Sequence, residues 1–413
     1  MARLLKRSYF NLKMLFKWYV LRNRPEKLIE ILFPIAVKYN LKSVLNYTIK
    51  CEVAQQDDYG QKIYSLAPEE VVINKTPKIL NLGILDTEIK VMVPERTIHL
   101  YKDAVVRANS SFIYLGYDSE NPKVIIEKLK YPTNIKSIIA ETRLAVNDDY
   151  WTFTRKPKRI NLDLVLSFAG HYSNHFGHFI LEYLERFEHL NHLGVDIGQL
   201  NILLQNPLDR NIRELVEQRK HEFGFKLIEI DSQTEVYAKR LFTIDPMNIV
   251  TDGANYASVT DKLFRRGSFD YYSSFQSAQL NGQGGKVFLK KTGVRNLVNY
   301  DEVEKLFADK GYEVVEPSNL TILEKLQLFS KTSYVVGPGS SAFLNCFWCP
   351  IDVKIMVFIN YEIAFDNPLQ NMLSNPENIY YLAGKEFNYT FYNSDYMIDI
   401  DTIKKYSIKL GFI

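Results

Sequence analysis

Cysteine is scarce, with three in 413 residues, at Cys51, Cys346 and Cys349. So few thiols in a chain this long exclude a disulfide scaffold and fit a reducing compartment. Cys346 and Cys349 form a CxxC, but no second pair completes a zinc set, so both are expected as buried packing residues. Long apolar runs are missing too. No stretch reaches the roughly 18 uncharged apolar residues of a membrane span, so no transmembrane helix is expected. Charge of one sign is also lacking: 51 Lys and Arg against 48 Asp and Glu leave +3, which argues against a nucleic-acid partner. Neither GxGxxG nor a Walker A sequence occurs. The only Asp-x-Asp is Asp399-Ile400-Asp401. It precedes an amphipathic C-terminal segment and reads as a strand end and helix cap. There are no internal repeats and no low-complexity tract.

What is present is an ordinary globular composition, 46% hydrophobic with 27 Tyr and 25 Phe, in a length that suits two or three domains. Charge is concentrated at the start. Residues 1–50 hold eleven basic side chains against Glu26 and Glu30, or 11 − 2 = +9. Within them Leu5, Tyr9, Leu12, Phe16 and Tyr19 recur at helical spacing, with Arg3, Lys6, Arg7, Lys13 and Lys17 off that face. Two readings fit this segment: a helix lying on an anionic membrane surface through residues 1–22, or a basic helix packed on the body. Lysines interrupt every apolar run, so a cleaved secretion signal is not expected. Residues 61–150 read as short strands and turns. From Asn161 a βα pattern begins, with strands at 163–170, 201–206 and 226–230, a helix at 179–192 and another near 211–223. The polar stretch 268–285 is the best linker.

The stretch from Lys286 to Pro350 carries the most information. Short apolar runs ending at Leu289, Val315 and Val336 alternate with amphipathic segments of helical length, the pattern of parallel β/α units. Asn299–Glu302 and Thr321–Glu324 read as capping boxes. The first run is followed by Lys290, Lys291 and Arg295, and the second by Glu316. The third is followed by Gly337-Pro338-Gly339-Ser340-Ser341, opening into a helix. Ligands of open α/β sheets bind at carboxyl strand ends, and a glycine-rich turn at a helix start aims N–H groups at an anion. The cations point to a phosphorylated ligand and the acid to a ribose. Glycines alone would serve a tight turn equally well. The ordered recurrence of basic, acidic and glycine features on successive strand ends is what favours a ligand.

These residues resemble the C-terminal half of family 61 glycosyltransferases, which run Lys/Arg, Arg, Asn, Glu-Pro, Gly-Pro-x-Gly/Ser-Ser/Ala and then Asn. A second block, His175-Phe176-Gly177-His178-Phe179 leading to Glu182, is similar to the family's Asn-x-Gly-His-Trp/Phe-x-x-Glu/Asp segment. Residues 67–71, 94–95 and 103–106 resemble its N-terminal portion. His175 stands where the family often has Asn, and Gly339 where many members have His. The resemblance, over residues 60–400, is to the bacterial capsular and lipopolysaccharide type. It implies an α/β, GT-B-like fold of two Rossmann-like domains facing a cleft. On that basis residues 1–60 form a basic helical leader, 61–280 an acceptor-side domain and 281–413 the nucleotide-sugar-binding domain.

Transfer from a nucleotide sugar needs a base for the acceptor hydroxyl and stabilisation of the departing diphosphate. The Gly337–Ser341 turn and nearby cations suit the second task without a metal. His178 and Glu182, four apart on one helical face, suit the first, with Ile180, Leu184 and Phe187 on the opposite face for the sheet. Sequence does not separate the roles of His178 and Glu182, and His175 is a third candidate. His171, His175 and His178 raise zinc, but their spacing matches no familiar ligand set. His189 and His192 read as structural or solvated. Expected donor-binding residues are Lys290, Lys291, Arg295, Asn299, Glu316, Gly337, Gly339, Ser340, Ser341 and Asn345. The expectation is a metal-independent hexosyl- or N-acetylhexosaminyltransferase with no cofactor and a UDP-linked donor, and the resemblance implies that it inverts. Its acceptor would be a glycan or lipid-linked glycan, and its place the cytoplasmic face of the membrane. The alternative is a non-catalytic nucleotide-sugar or glycan-binding component of a polysaccharide assembly complex, which would bind donor without hydrolysing it.

Overall fold

A computed structural model describes residues 48–54, 56–76, 78–85, 87–93, 95–108, 110, 112–117, 123–126, 145–146, 149–153, 158–170, 173–231, 234–245, 284–291, 293, 295–360, 376–387 and 394–413. The basic segment 1–47, most of the expected linker and His171 lie outside these residues. The protein is a mixed α/β structure built on two large sheets.

The first sheet is organised around Lys158–Ser167. Its outer half is solvent-facing, but Leu164, Val165 and Leu166 are all buried, because layers cover both faces of the sheet there. Leu164 and Leu166 enter one core and Val165 the other, as the two-residue period of a strand requires. Asn201–Gln205, Lys226–Ile230 and Thr234–Ile244 run parallel with it, in the order 226–230, 201–205, 158–167, 234–244. Chain order therefore reverses between Lys158–Ser167 and Thr234–Ile244. Arg96–Arg107 pairs antiparallel with Thr234–Ile244 and leads to the remaining strands of this eleven-stranded sheet.

The helix expected at 179–192 begins earlier and ends sooner. An α-helix spans Phe176–Glu182, and a 3-10 segment covers Leu184–Leu193. The buried Arg186 explains the change. Its Nε donates to the Glu182 carbonyl at 2.8 Å, replacing the backbone N–H that an α-helix would supply. The Arg186 N–H turns to the Tyr183 carbonyl instead, at 3.1 Å. Ile180, Leu184 and Phe187 are buried, as their spacing predicts.

The second sheet has five parallel strands in the order Glu313–Val315, Gly285–Leu289, Thr332–Pro338, Lys354–Asn360, Ile379–Phe387, with Asp395–Met397 antiparallel at the edge. Here the chain order reverses between Gly285–Leu289 and Thr332–Pro338. Helices span Tyr300–Ala308, Ile322–Phe329 and Ile400–Leu410, and a 3-10 segment spans Ser341–Trp348. Thr321 and Glu324 form the expected capping box, with both reciprocal bonds made. The box expected at Asn299 does not form. Its amide Nδ2 donates to the Ile398 carbonyl at 2.8 Å, a tertiary partner that takes the side chain away from its own helix.

The two sheets share material. One apolar cluster includes Leu166, Phe179 and Phe187 from the first part and Leu289, Val335, Leu344 and Val357 from the second. Residues 78–84 pack on the second sheet: Ile79 bridges to Tyr381, Asn81 exchanges bonds of 2.7 and 2.9 Å with Ala383, and Tyr406 reaches the Leu80 carbonyl. At the junction of the two parts, Glu214 Oε2 accepts from the Ile322 N–H at 2.8 Å and so caps a helix of the other sheet.

Candidate active site

Each sheet has a point where its strand order reverses, the position at which ligands of open α/β sheets bind beyond the carboxyl ends of the strands. Candidate residues follow strands at both points. In the first sheet, Ser167 ends the pivotal strand and the chain continues to His175, whose extended backbone starts the helix Phe176–Glu182. His178 Nδ1 and Glu182 Oε1 are 3.1 Å apart. The His175 and His178 rings meet edge to face at 5.5 Å between centroids. Glu182 is not on an exposed polar face. It is 1% exposed, while the His178 side chain keeps 19%. A carboxylate withdrawn from water beside an imidazole differs from a solvated surface pair, which is worth little.

In the second sheet the Gly337–Ser341 turn lies beside the end of Gly285–Leu289. A Cβ on Gly337 would come 2.6 Å from the Leu289 carbonyl oxygen, and one on Gly339 would come 2.9 Å from Ile359 Cγ2. Both glycines are therefore required by neighbouring strands. The Gly339 N–H donates to the Phe358 carbonyl at 2.7 Å, so it is not a donor for an anion. At Gly339 the expected N–H donor to an anion is therefore not available. What the turn does offer is side-chain polarity. Ser340 Oγ and, one helical segment on, Asn345 Oδ1 are buried and accept or donate no hydrogen bond among the described residues. Asn345 is 2% exposed, and its Nδ2 donates to the Ala342 carbonyl at 2.7 Å. Buried polar atoms without partners are uncommon in folded proteins and mark places where a ligand or water completes the set.

The two candidate groups meet. A Cβ on Gly177 would lie 3.4 Å from Ser341 Cβ, 3.3 Å from Leu344 Cδ1 and 3.5 Å from His175 Cε1. The first turn of the His178–Glu182 helix thus packs directly on the start of Ser341–Trp348.

The cations form a neighbouring cluster. Arg295 has a left-handed backbone (φ 62°), and its carbonyl accepts from Lys291 Nζ at 2.7 Å. Asn296 N–H donates to Asp395 Oδ1 at 2.6 Å, tying this loop to the edge strand. Burial pulls the Lys291 amine down to about 7; the Arg295 cation adds to this and the Asp395 carboxylate opposes it. Lys290 points to solvent, with its N–H on the Val315 carbonyl. Glu316 follows Val315 on the adjacent strand, but its carboxylate is engaged locally, by Ser318 Oγ at 3.2 Å and Asn319 Nδ2 at 3.3 Å. Asn299 Oδ1 is buried and without a partner among the described residues.

Other sequence features resolve structurally. Asp399 caps the last helix by accepting from Thr402 N–H at 2.9 Å, and Asp401 lies in its first turn, 3.7 Å from Lys404. Cys346 and Cys349 are buried and free. Burial, the Arg96 cation and His192 push His189 down to about 4, and His192 stacks on Tyr64 at 4.0 Å. Among the described residues no group of three His, Cys, Asp or Glu side chains converges as metal ligands, and no helix is long and apolar enough to cross a membrane. Sequence reasoning missed the buried Arg186, which shapes the end of the His178–Glu182 helix, and Asp395, which anchors the Arg295 loop. It also missed the buried Lys325. Its signal was visible: Ile322, Lys325 and Phe329 share one helical face, and a lysine there stands in the apolar stripe.

Residues 176–356, a little under half the chain, match the family model described as Glycosyltransferase 61. The match supports a glycosyltransferase of family 61, and it spans both the His178–Glu182 helix and the Gly337–Ser341 turn. No curated protein matches the chain.

Proposed function

We propose that the protein is an inverting glycosyltransferase of the bacterial capsular or lipopolysaccharide type, with a GT-B-like arrangement of its two sheets. It moves a hexosyl or N-acetylhexosaminyl group from a UDP-linked donor to a glycan or lipid-linked glycan in surface-polysaccharide biosynthesis. It works at the cytoplasmic face of the membrane, with residues 1–22 on the anionic surface. The observation that carries this reading is the packing of Gly177 on Ser341 and Leu344, which joins a half-buried His178 and its buried partner Glu182 to a strand-end segment with unsatisfied buried polar atoms at Ser340 and Asn345.

In this reading His178 and Glu182 together accept the acceptor hydroxyl proton as that oxygen attacks the anomeric carbon. The bond from the anomeric carbon to the diphosphate oxygen breaks, and its electron pair leaves with the diphosphate. Lys291 and Arg295 oppose the charge that develops there, with Ser340 and Asn345 completing the contacts in a site partly removed from water. Lys290, Asn299 and Glu316 border the same strand ends, where the ribose and base would lie. No step requires a metal.

A thermal-shift screen of nucleotide sugars, followed by an assay of donor hydrolysis and transfer, tests the proposal, because native ligand raises apparent stability. A UDP-sugar should stabilise the protein and be hydrolysed slowly without acceptor. Stabilisation with no hydrolysis and no transfer would favour the non-catalytic binding component instead.

A further inference from the structure

Lys325 is 1% exposed, on the buried face of Ile322–Phe329. Its ammonium lies 4.4 Å from the centre of the Phe176 ring and has no hydrogen-bond or ion-pair partner among the described residues. The charged groups facing it belong to the start of the helix Arg210–Phe223: Asp209, Glu214 and the opposing Arg210. Both carboxylates are committed elsewhere. Asp209 accepts from the Asn211 and Ile212 N–H groups at 2.8 and 3.3 Å, and Glu214 accepts from Ile322 N–H and pairs with Arg210 at 3.6 Å. An ammonium on so buried a side chain, with no hydrogen-bond or ion-pair partner among the described residues, is costly unless an anion or water pairs with it. Burial accordingly lowers its proton affinity, to about 8.

Its position indicates what that partner is. Phe176 adjoins Gly177, the residue that touches Ser341 and Leu344. The helix carrying Lys325 also packs on Ser341–Trp348. The cation therefore lies against the first residue of the His178–Glu182 helix, on an element that packs on the segment following the glycine turn. We propose that Lys325 is an anion-binding residue of this site, held for a phosphate oxygen of the nucleotide that enters the junction. This rests on the reading of the junction as a nucleotide-sugar site and adds to it a cation on a different element from Lys291 and Arg295.

The test measures UDP and inorganic pyrophosphate binding by calorimetry for the full chain, Lys325→Met and Lys325→Arg, with thermal melting of each. Lys325→Met should weaken both ligands by about tenfold to a hundredfold, the range for hydrogen bonds to charged groups. Arg should restore part of the loss. The Met variant should melt no lower than the parent, because an unpaired buried charge has been replaced by an apolar chain. A lysine with a merely structural role gives the reverse, a lower melting temperature and unchanged affinity, and that result overturns the proposal. Loss of UDP affinity with pyrophosphate unaffected also overturns it, since the contact would not be to phosphate. Should the Met variant not fold, Lys325→Gln makes the same comparison. A parent protein that binds neither probe sinks the nucleotide reading itself. A parent that binds both, beside a Met variant of equal affinity, sinks only the role of Lys325.

Discussion

His178 Nδ1 lies 3.1 Å from Glu182 Oε1, with the carboxylate almost wholly buried and the imidazole part-exposed. An ionised Glu182 can only accept, so in that state His178 Nδ1 carries the proton of the bond between them.

Glu182→Gln and His178→Ala should each lower the transfer rate by about 10²–10⁴, the range for loss of a general base. Donor affinity should change little, because the expected phosphate contacts come from the other sheet. The double variant should be little worse than the worse single one, as for residues acting as a unit. Single-turnover rates at saturating donor and acceptor check this. Near-full turnover in either variant would move the base elsewhere, with His175 next in line.

Lys291 gives a pH dependence. Its amine is lowered from about 10.5 to about 7 in the folded protein. Between those values the unfolded chain binds more protons than the folded one, so this group makes stability rise with pH from about 7 towards 10.5. Ligand binding has the opposite sign. An anion beside Lys291 favours the ammonium, so nucleotide-sugar affinity should fall as pH rises above about 7, with a proton taken up on binding. Calorimetry in buffers of different ionisation enthalpy measures that uptake, and Lys291→Met should abolish it. Uptake unchanged in the variant would place the titration on another group.

Gly337→Ala should destabilise the protein by about 1–3 kcal/mol, the cost of forcing extra volume into packed structure. The added Cβ would meet the Leu289 carbonyl oxygen at 2.6 Å, and backbone cannot rotate aside as a side chain can. Denaturant unfolding without ligand should detect the full effect. A variant as stable as the parent would show that the strand ends can separate there.

Transfer should persist in EDTA, because lysine, arginine and buried polar side chains are proposed to stabilise the leaving diphosphate. Asp399 and Asp401 are engaged at a helix start, as cap and first-turn residue. Complete loss of activity in EDTA, restored by Mn²⁺ or Mg²⁺, would reject this mechanism and reopen the role of acidic residues.

The elements of this protein were legible wherever local pattern decides them. The runs ending at Leu289, Val315 and Val336 became parallel strands, because short β-rich segments between amphipathic helices have few other ways to bury both faces. Thr321 and Glu324 made their capping box because its bonds span only three residues. Asn299 has the same local grammar and fails, because the Ile398 carbonyl arrives from far along the chain. The early end of the His178–Glu182 helix likewise depends on a buried arginine that no propensity anticipates.

What sequence alone determined was which residue types stand at which strand ends. Tertiary structure decided which of them meet. The points of strand-order reversal, the burial of Glu182, the use of the Gly339 N–H by Phe358 and the packing of Gly177 on Ser341 are contacts between segments far apart in the chain. Local periodicity carries no information about such partners. They follow from how two sheets with helices between them close over one apolar cluster, and that closure leaves Lys325 inside with its charge unpaired.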